Sequence, residues 1–341
     1  MTAPAAGTSG ASGAAAAGPA AVPVDAVPVD AAPAGSVPAD AAPARLGGPV
    51  WVALGVVYVL WGSTYLAIRI ALETMPSFLS AAARFLTAGL LLVGFVAIRY
   101  GRSGLRVDLR QLGSSVLVGV LLLTGGNGLV VLGENSIPSG LAALLVAVVP
   151  LWMVLLTAAG GDRPKAVELA GVMLGLVGLG VLSAPAIGGD IAKGGVIAVV
   201  CGTLTWAFGS FAAKRIRMPG NVFAASAYQM LAGGLGNTLI GLVRGEQYGL
   251  DLGAVSGRSW LALGFLVVFG SLVAYTAYAW LLRSAPLGLV ATYAYVNPVV
   301  AVLLGWLVLA EPLTRPTLLG GAIVVVGVCL VVSVSRTSSR K

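Results

Sequence analysis

The chain contains part of itself twice. When residues 284–333 are slid back by 148 positions, Ser284, Pro286, Gly288, Leu289, Pro298 and Pro312 fall on Ser136, Pro138, Gly140, Leu141, Pro150 and Pro164. Across residues 136–164, 11 of the 29 pairs are identical. Beyond Pro164 the offset becomes 149, and Gly320 and Gly327 fall on Gly171 and Gly178. Matches of Ala, Leu and Gly arise easily in apolar sequence, whereas three prolines kept in register do not. The pattern is an internal duplication, and it constrains the architecture before any local assignment is made.

Composition decides what kind of unit is duplicated. The chain is 58% apolar and 9% charged, with a mean hydropathy of +0.98, where a soluble domain carries roughly 25% charged residues. A helix needs about 20 apolar residues to cross a bilayer. Ten such runs are expected, at 50–71, 77–98, 112–132, 137–158, 166–184, 194–213, 221–242, 258–280, 286–308 and 316–334. The fold class is therefore an all-α polytopic membrane protein in a lipid bilayer. The connecting loops are too short for a soluble domain, so function must lie inside the bundle.

The two ends are different in kind. Residues 1–49 are rich in Ala, Pro and Gly, with Val-Pro-Val-Asp-Ala echoed from Val22 and again from Val27. Such composition buries too little side chain to offset chain entropy, and a disordered tail is expected. It lacks the basic start and compact apolar core of a signal peptide. Residues 335–341 form a short basic tail.

Lys and Arg set the orientation. With the N-terminus inside, the inner segments hold 14 of them and the outer segments five, with Arg84 inside a helix. Both termini are thus expected in the cytoplasm, and the net charge of +8 belongs to inner loops rather than to a nucleic-acid surface. The copies, 50–188 and 189–334, each hold five helices. An odd number means that the second copy enters the membrane upside down. Inverted five-helix repeats suit a carrier, because two halves can rock about a midplane site. The first helices of each copy match at an offset of 145, where Trp61 meets Trp206, Arg69 meets Lys214, Arg84 meets Gln229 and Gly89 meets Gly234.

Several chemistries drop out. There is no histidine, and the two cysteines, Cys201 and Cys329, sit in apolar runs, where buried small residues are the ordinary reading. No phosphate-binding glycine loop is present, which disfavours an ATP-driven pump. No cofactor or metal is expected. An intramembrane enzyme would need an acid, base or nucleophile set at depth, and no Asp or Glu falls mid-span.

The stretch Trp61-Gly-Ser-Thr-Tyr-Leu-Ala-Ile, with Arg84-Phe-Leu-Thr-Ala-Gly, the Asn297-Pro298 helix and Glu311-Pro-Leu-Thr, resembles the EamA-type branch of the drug/metabolite transporter superfamily. The resemblance covers residues 50–334. It implies a ten-helix carrier of inverted repeats that moves amino acids, other metabolites or drugs, often outward. It also implies a cavity between helices 1–4 and 6–9, with helices five and ten at the edges. One departure is visible. Family members often carry Gly-Glu at the end of helix four, where this chain has Gly161-Asp162.

The residues themselves nominate a site. An arginine at mid-membrane costs roughly 2.5–3.5 kcal/mol on insertion scales. Arg84 therefore either faces a wet cavity and meets an anionic group through its planar fork, or snorkels out to Glu73 or loop carbonyls. Helix one carries Tyr58, Trp61 and Tyr65 on one face, with Ser63 and Thr64 beside them. Tyr275, Tyr278, Tyr295, Asn127, Gln229 and Asn297 complete a set able to bind a small molecule, although any one ring can equally pack against a neighbouring helix. Trp152 and Trp206 read as packing. Pro150 and Pro298 fall within helices four and nine and free the carbonyls of Val146 and Ala294, a repeat-related pair of breaks that either marks a binding site or is a packing kink. Gly171 and Gly175 and the glycines of helix ten offer either a homodimer face or close packing within one chain. The expected function is secondary transport of a small organic metabolite by alternating access, with amino-acid export favoured, drug or aromatic export the alternative and a non-transporting scaffold the rival. With no acid at the midplane, facilitated movement or exchange is favoured over proton coupling, unless a peripheral acid such as Glu134 carries the proton.

Overall fold

The computed structural model describes residues 47–137, 142, 145–161, 164–183, 193–309 and 315–338, and all secondary structure among them is helical. The N-terminal tail through residue 46, residues 138–141 and the 311–314 segment, which the sequence reading singled out, lie outside the described residues. The helices are α1 (Gly48–Ala71), α2 (Ser77–Tyr100), α3 (Leu109–Glu134), α4 (Val149–Ala159), α5 (Ala166–Ser183), α6 (Lys193–Arg215), α7 (Val222–Val243), α8 (Gly257–Ser284), α9 (Tyr293–Leu309) and α10 (Arg315–Ser338). A five-residue helix, Leu287–Ala291, leads into α9.

Among the described residues, α1, α2, α3, α6 and α8 are each long and apolar enough to cross a membrane. The protein is a multi-pass membrane protein. α7 does not join those five, although a span is expected at 221–242. At 22 residues it is about 33 Å long, but Gln229, Asn237 and Thr238 dilute its apolar average. Gln229 and Asn237 are buried against other helices, at 3% and 0% exposure. Shorter apolar helices occur at Val149–Ala159, Ala166–Gly178, Leu287–Val300 and Leu318–Val331.

Side-chain contacts assign the helix ends to two faces of the bundle. At one end Tyr228 donates to the Leu105 carbonyl, Arg217 pairs with Asp108 at 3.6 Å, and Arg283 donates to the Gly220 carbonyl. This end also carries Arg99, Arg102, Arg106 and Lys214, and is called here the arginine-rich end. At the opposite end Thr74 donates to Ser259, and Glu246 accepts from the first amides of α2. α1 therefore runs away from the arginine-rich end and α6 towards it; α2 and α7 are likewise opposed, as are α3 and α8.

The packing repeats as well. α1 lies on α9 and α6 on α4; α2 crosses α7; α5 packs along α10. The α2–α7 crossing is close because a glycine from each copy lies in it. A Cβ at Gly89 would stand 2.9 Å from Leu231, and one at Gly234 would stand 2.8 Å from Leu86. Gly171 and Gly327 do the same for α5 and α10, where each would drive a Cβ to within 2.9 Å of the other's carbonyl. Gly171 and Gly327 thus serve close packing within one chain. α3 and α8 each widen into a π-helix, over Val120–Gly128 and Leu266–Tyr275. Side chains from other helices occupy carbonyls in these segments: Asn237 donates to Leu123 and Trp61 to Gly270. Cross-helix donors of this kind make irregular helix tolerable in a membrane.

One of the two prolines sits differently from expectation. Pro150 is in the first turn of α4, after turn residues Ala147 and Val148, so the chain breaks before it rather than at it. Its missing N–H costs nothing in that position. Pro298 does lie inside α9, with a turn at Thr292 just upstream.

Candidate functional site

A cavity of about 80 Å³ lies in the middle of the bundle, walled by α1, α2, α3, α4, α6, α8 and α9. From α1 come Trp61, Thr64, Tyr65 and Ile68, a single face at helical spacing. α2 supplies Arg84 and Phe85, α3 supplies Asn127, α6 supplies Thr203 and Trp206, and α9 supplies Tyr293 and Asn297. The π segments bring Asn127 and Gly270 to the wall.

Arg84 is 5% exposed, and its Nε donates to Ser271 Oγ at 2.8 Å. The guanidinium carbon stands 4.8 Å from the Phe85 ring centroid. Among the described residues no carboxylate forms an ion pair with it. The outward-snorkelling alternative is not what the structure adopts, since neither Glu73 nor an end-of-helix carbonyl holds the group.

Trp61, Trp206, Tyr278 and Tyr293 form one aromatic cluster. Trp61 meets Tyr278 and Tyr293 at 4.9 Å and Trp206 at 5.5 Å, ring centre to ring centre. The Trp61–Trp206 and Trp61–Tyr293 pairs are edge-to-face, a geometry that contributes about 0.5–1.5 kcal/mol per pair beyond area burial. Trp206, read from sequence as packing, is part of the cavity wall and also donates to Tyr278 Oη at 3.1 Å. Asn297 is 1% exposed; with its amide oriented to suit its neighbours, its nitrogen donates to the Tyr293 and Tyr58 carbonyls, and Tyr65 is hydrogen-bonded to its side chain.

Not every nominated residue reaches the cavity. Ser63 bonds back to the Leu60 carbonyl at 2.7 Å, and its neighbour Thr64 lines the wall instead. Tyr278 and Gln229 lie beyond the cavity floor, towards the arginine-rich end, where they line a smaller void with Met218 and Arg283. Tyr275 spans the two: it lines the cavity while its hydroxyl donates to Gln229 at 2.8 Å. Tyr295 faces away, donating to the Val172 carbonyl of α5 at 3.2 Å. Pro150 and Pro298 are buried outside the lining. Asn127 Oδ1 is buried without a partner. Trp152 donates to Thr203 at 3.2 Å, pinning α4 to α6. Sequence reasoning did not nominate Tyr293, Thr203 or Phe85. Tyr293 follows Trp61 only across the fold, so no helical spacing could reveal it.

Contacts between helices bridge both ends of the cavity. Towards the arginine-rich end, Tyr278 shares a 2.6 Å hydrogen bond with Ser210, and Lys214 donates to the Leu282 and Ala285 carbonyls at 2.8 and 2.6 Å. At the opposite end an apolar plug of Ile68, Ala71, Leu263 and Leu266 is capped by hydrogen bonds from Thr74 to Ser259 and from Ser259 to the Ile70 carbonyl. Glu134 lies at this end, 7% exposed, with neither carboxylate oxygen hydrogen-bonded.

The model of the EamA-like transporter family matches this chain twice, over residues 48–184 and 193–333. The chain belongs to the EamA-like transporter family. Its relatives include an uncharacterized inner membrane transporter, YedA, of Escherichia coli strain K12, 39% identical over 286 residues that span 83% of this chain and 90% of that one. An uncharacterized transporter of Bacillus subtilis, YvbV, is 28% identical over 83% of this chain and 91% of its own length. A Streptantibioticus cattleyicolor protein named as a probable terminal-alkyne amino-acid exporter is 26% identical over 84% and 94%. A crystal structure at 21% identity superposes with a TM-score of 0.69, covering 85% of this chain and 98% of the other, and shares the fold. The family and these relatives make the chain a transporter rather than an enzyme.

Proposed function

We propose that this transporter moves a small organic metabolite carrying an anionic group, by alternating access, and that amino acids or close relatives are its substrates, carried outward. The observation that carries the reading is Arg84, a buried cation on the cavity wall with one hydroxyl and a ring for company. A charge in that setting calls for a counter-charge, and a substrate carboxylate supplies it through a bidentate fork. The amide of Asn127, whose oxygen has no partner, stands ready for an ammonium or hydroxyl donor, and the aromatic wall takes the side chain. The relative named as an amino-acid exporter supports this class.

Small-molecule sites hold roughly 300–1,000 Å³, so a cavity of about 80 Å³ must widen to load. In this reading ten helices form two inverted five-helix repeats with both termini in the cytoplasm. The opposed directions of α1 and α6 and the reciprocal packing of α2 on α7 support that arrangement. Exchange or facilitated movement is favoured, because no midplane acid is present to relay protons; Glu134 is the acid to replace first if a proton gradient accelerates uptake.

The cluster of Trp61, Trp206, Tyr278 and Tyr293 favours a second reading, export of aromatic or drug-like compounds. Proteoliposome uptake separates the two. The anionic-substrate reading expects saturable uptake of a carboxylate compound that Arg84→Gln abolishes while the protein still folds. Uptake of neutral aromatic compounds that survives Arg84→Gln overturns it.

A further inference from the structure

The duplicated sequence places two equivalent corners in the bundle, one at each end, and they are built differently. At the end opposite the arginines, Phe78 opens α2. It is 2% exposed and packs so tightly that a Cβ on Gly128 would stand 3.0 Å from its ring. Glu246 accepts from the Phe78 and Leu79 amides at 3.3 and 2.9 Å and seals that corner. The offset of 145 carries Phe78 to Phe223, and the offset of 148 carries Gly128 to Thr276 and Leu132 to Trp280. At this second corner, among the described residues, no acidic side chain accepts from the first amides of α7. α7 is capped by its own Asn221 instead, at 2.9 Å to the Phe223 amide. Phe223 turns outward onto Phe95 and Tyr100, at 5.2 and 6.4 Å. What remains is a crevice of about 630 Å³ between the end of α2, the start of α7 and the flank of α8.

The crevice has the chemistry of an amphiphile site. Its walls are apolar and aromatic, with Tyr100, Phe223, Val273 and Trp280 among them. It opens on the flank of the bundle, where Tyr100 and Val273 are each 42% exposed. Trp and Tyr at a helix end are the side chains that sit at headgroup depth. Thr276 belongs to the wall, its hydroxyl buried and without a hydrogen-bond partner. Two cations flank the mouth. The Arg99 guanidinium lies 5.4 Å from the Tyr100 ring centroid, and Arg283, three residues after Trp280, donates to the carbonyl of Gly220 beside Asn221.

We propose that this crevice binds an anionic phospholipid from the leaflet at the arginine-rich end, one acyl chain lying between Phe223 and Trp280 and the phosphate meeting Arg99 and Arg283. A free phosphate would satisfy only the cations and leave the apolar walls uncovered. The site lies apart from the central cavity and does not depend on what that cavity transports. It does place a lipid against α8, whose π segment Leu266–Tyr275 also lines the central cavity, so the lipid is positioned to bias the widening of that cavity.

The test uses the full chain in nanodiscs containing a trace of phosphatidylglycerol or phosphatidylcholine with a diazirine midway along one acyl chain. After photolysis, labelled peptides are mapped by mass spectrometry. Label is expected to concentrate on residues 221–223 and 272–280, with phosphatidylglycerol preferred by about fivefold for each flanking arginine. Arg99→Gln and Arg283→Gln should each remove their share of that preference. Ala277→Phe, which fills the crevice, should abolish the concentrated label; Val273→Phe, at the exposed lip, serves if that variant does not fold. Label spread evenly around the bundle, or label at the crevice that neither filling substitution changes, overturns the proposal. Equal labelling by both lipids overturns its anionic part. None of these outcomes requires transport, so failure here is distinct from failure of the carboxylate reading.

Discussion

Arg84 and Gln229 occupy the same place in the two copies, 145 residues apart, and they have taken opposite roles. Both are buried, at 5% and 3% exposure, on helices that cross at matched glycines. Arg84 projects onto the central cavity and keeps most of its donors for something that enters. Gln229 accepts from Tyr275 beyond the cavity floor and helps bridge that end. Duplication therefore supplied the frame, and divergence at matched positions supplied the chemistry. A symmetric pair of arginines would have placed two unpaired cations in one bundle, at several kcal/mol for each. The same contrast recurs between Phe78, tucked in and sealed, and Phe223, turned out beside an open crevice.

The comparison can be broken most forcefully by making the copies alike. Arg84→Gln gives both the same side chain. Hydrogen bonds to charged groups contribute about 1.5–3 kcal/mol, so affinity for a carboxylate substrate should fall roughly tenfold to a hundredfold, read as a rise in the half-saturating concentration or as lost uptake, with thermal stability little changed. The reverse substitution, Gln229→Arg, should act on folding rather than on affinity. It buries a second cation against Tyr275, and the melting temperature in detergent should drop by more than for any other variant named here. Tyr278→Phe sharpens the contrast between the cavity and the contacts that bridge its end. It removes the contacts to Ser210 and Trp206, each worth about 1 kcal/mol. A cysteine introduced at Met218 should then react faster with a polar thiol reagent, with Cys201 and Cys329 first replaced by Ser. The smallest effect belongs to Tyr295→Phe, which loses one bond to the Val172 carbonyl. Its melting temperature should slip slightly and its transport rate should hold.

Much of this was legible in the sequence, and the reasons are local. Long apolar runs and the proline register announce a duplicated helical membrane protein, because bilayer thickness and helix rise leave little freedom. Arg84 announced itself by its cost. Trp61 and Tyr65 were legible because helical spacing places them on one face. What escaped depends on rotation about helices that no spacing records. Tyr295 and Tyr293 are two residues apart on one helix, and only packing decides that Tyr293 faces Trp61 while Tyr295 faces α5. The apolar run continues through Pro150, which makes it look like a mid-helix break; the turn at Ala147 and Val148 carries no residue that signals a stop. Ser63 and Thr64 read alike in the sequence, and only the packing turns Thr64 to the cavity. The crevice at Phe223 was invisible because it exists only as a difference between two corners.

The most direct measurement is uptake of a radiolabelled amino-acid panel into proteoliposomes, by the native chain and by Arg84→Gln side by side, with carboxyl-amidated analogues as competitors. The account predicts saturable uptake of at least one amino-acid class, no competition by the matching amides, and loss of the signal in the variant. Uptake that the amides inhibit as well as the acids do, and that survives Arg84→Gln, would contradict it.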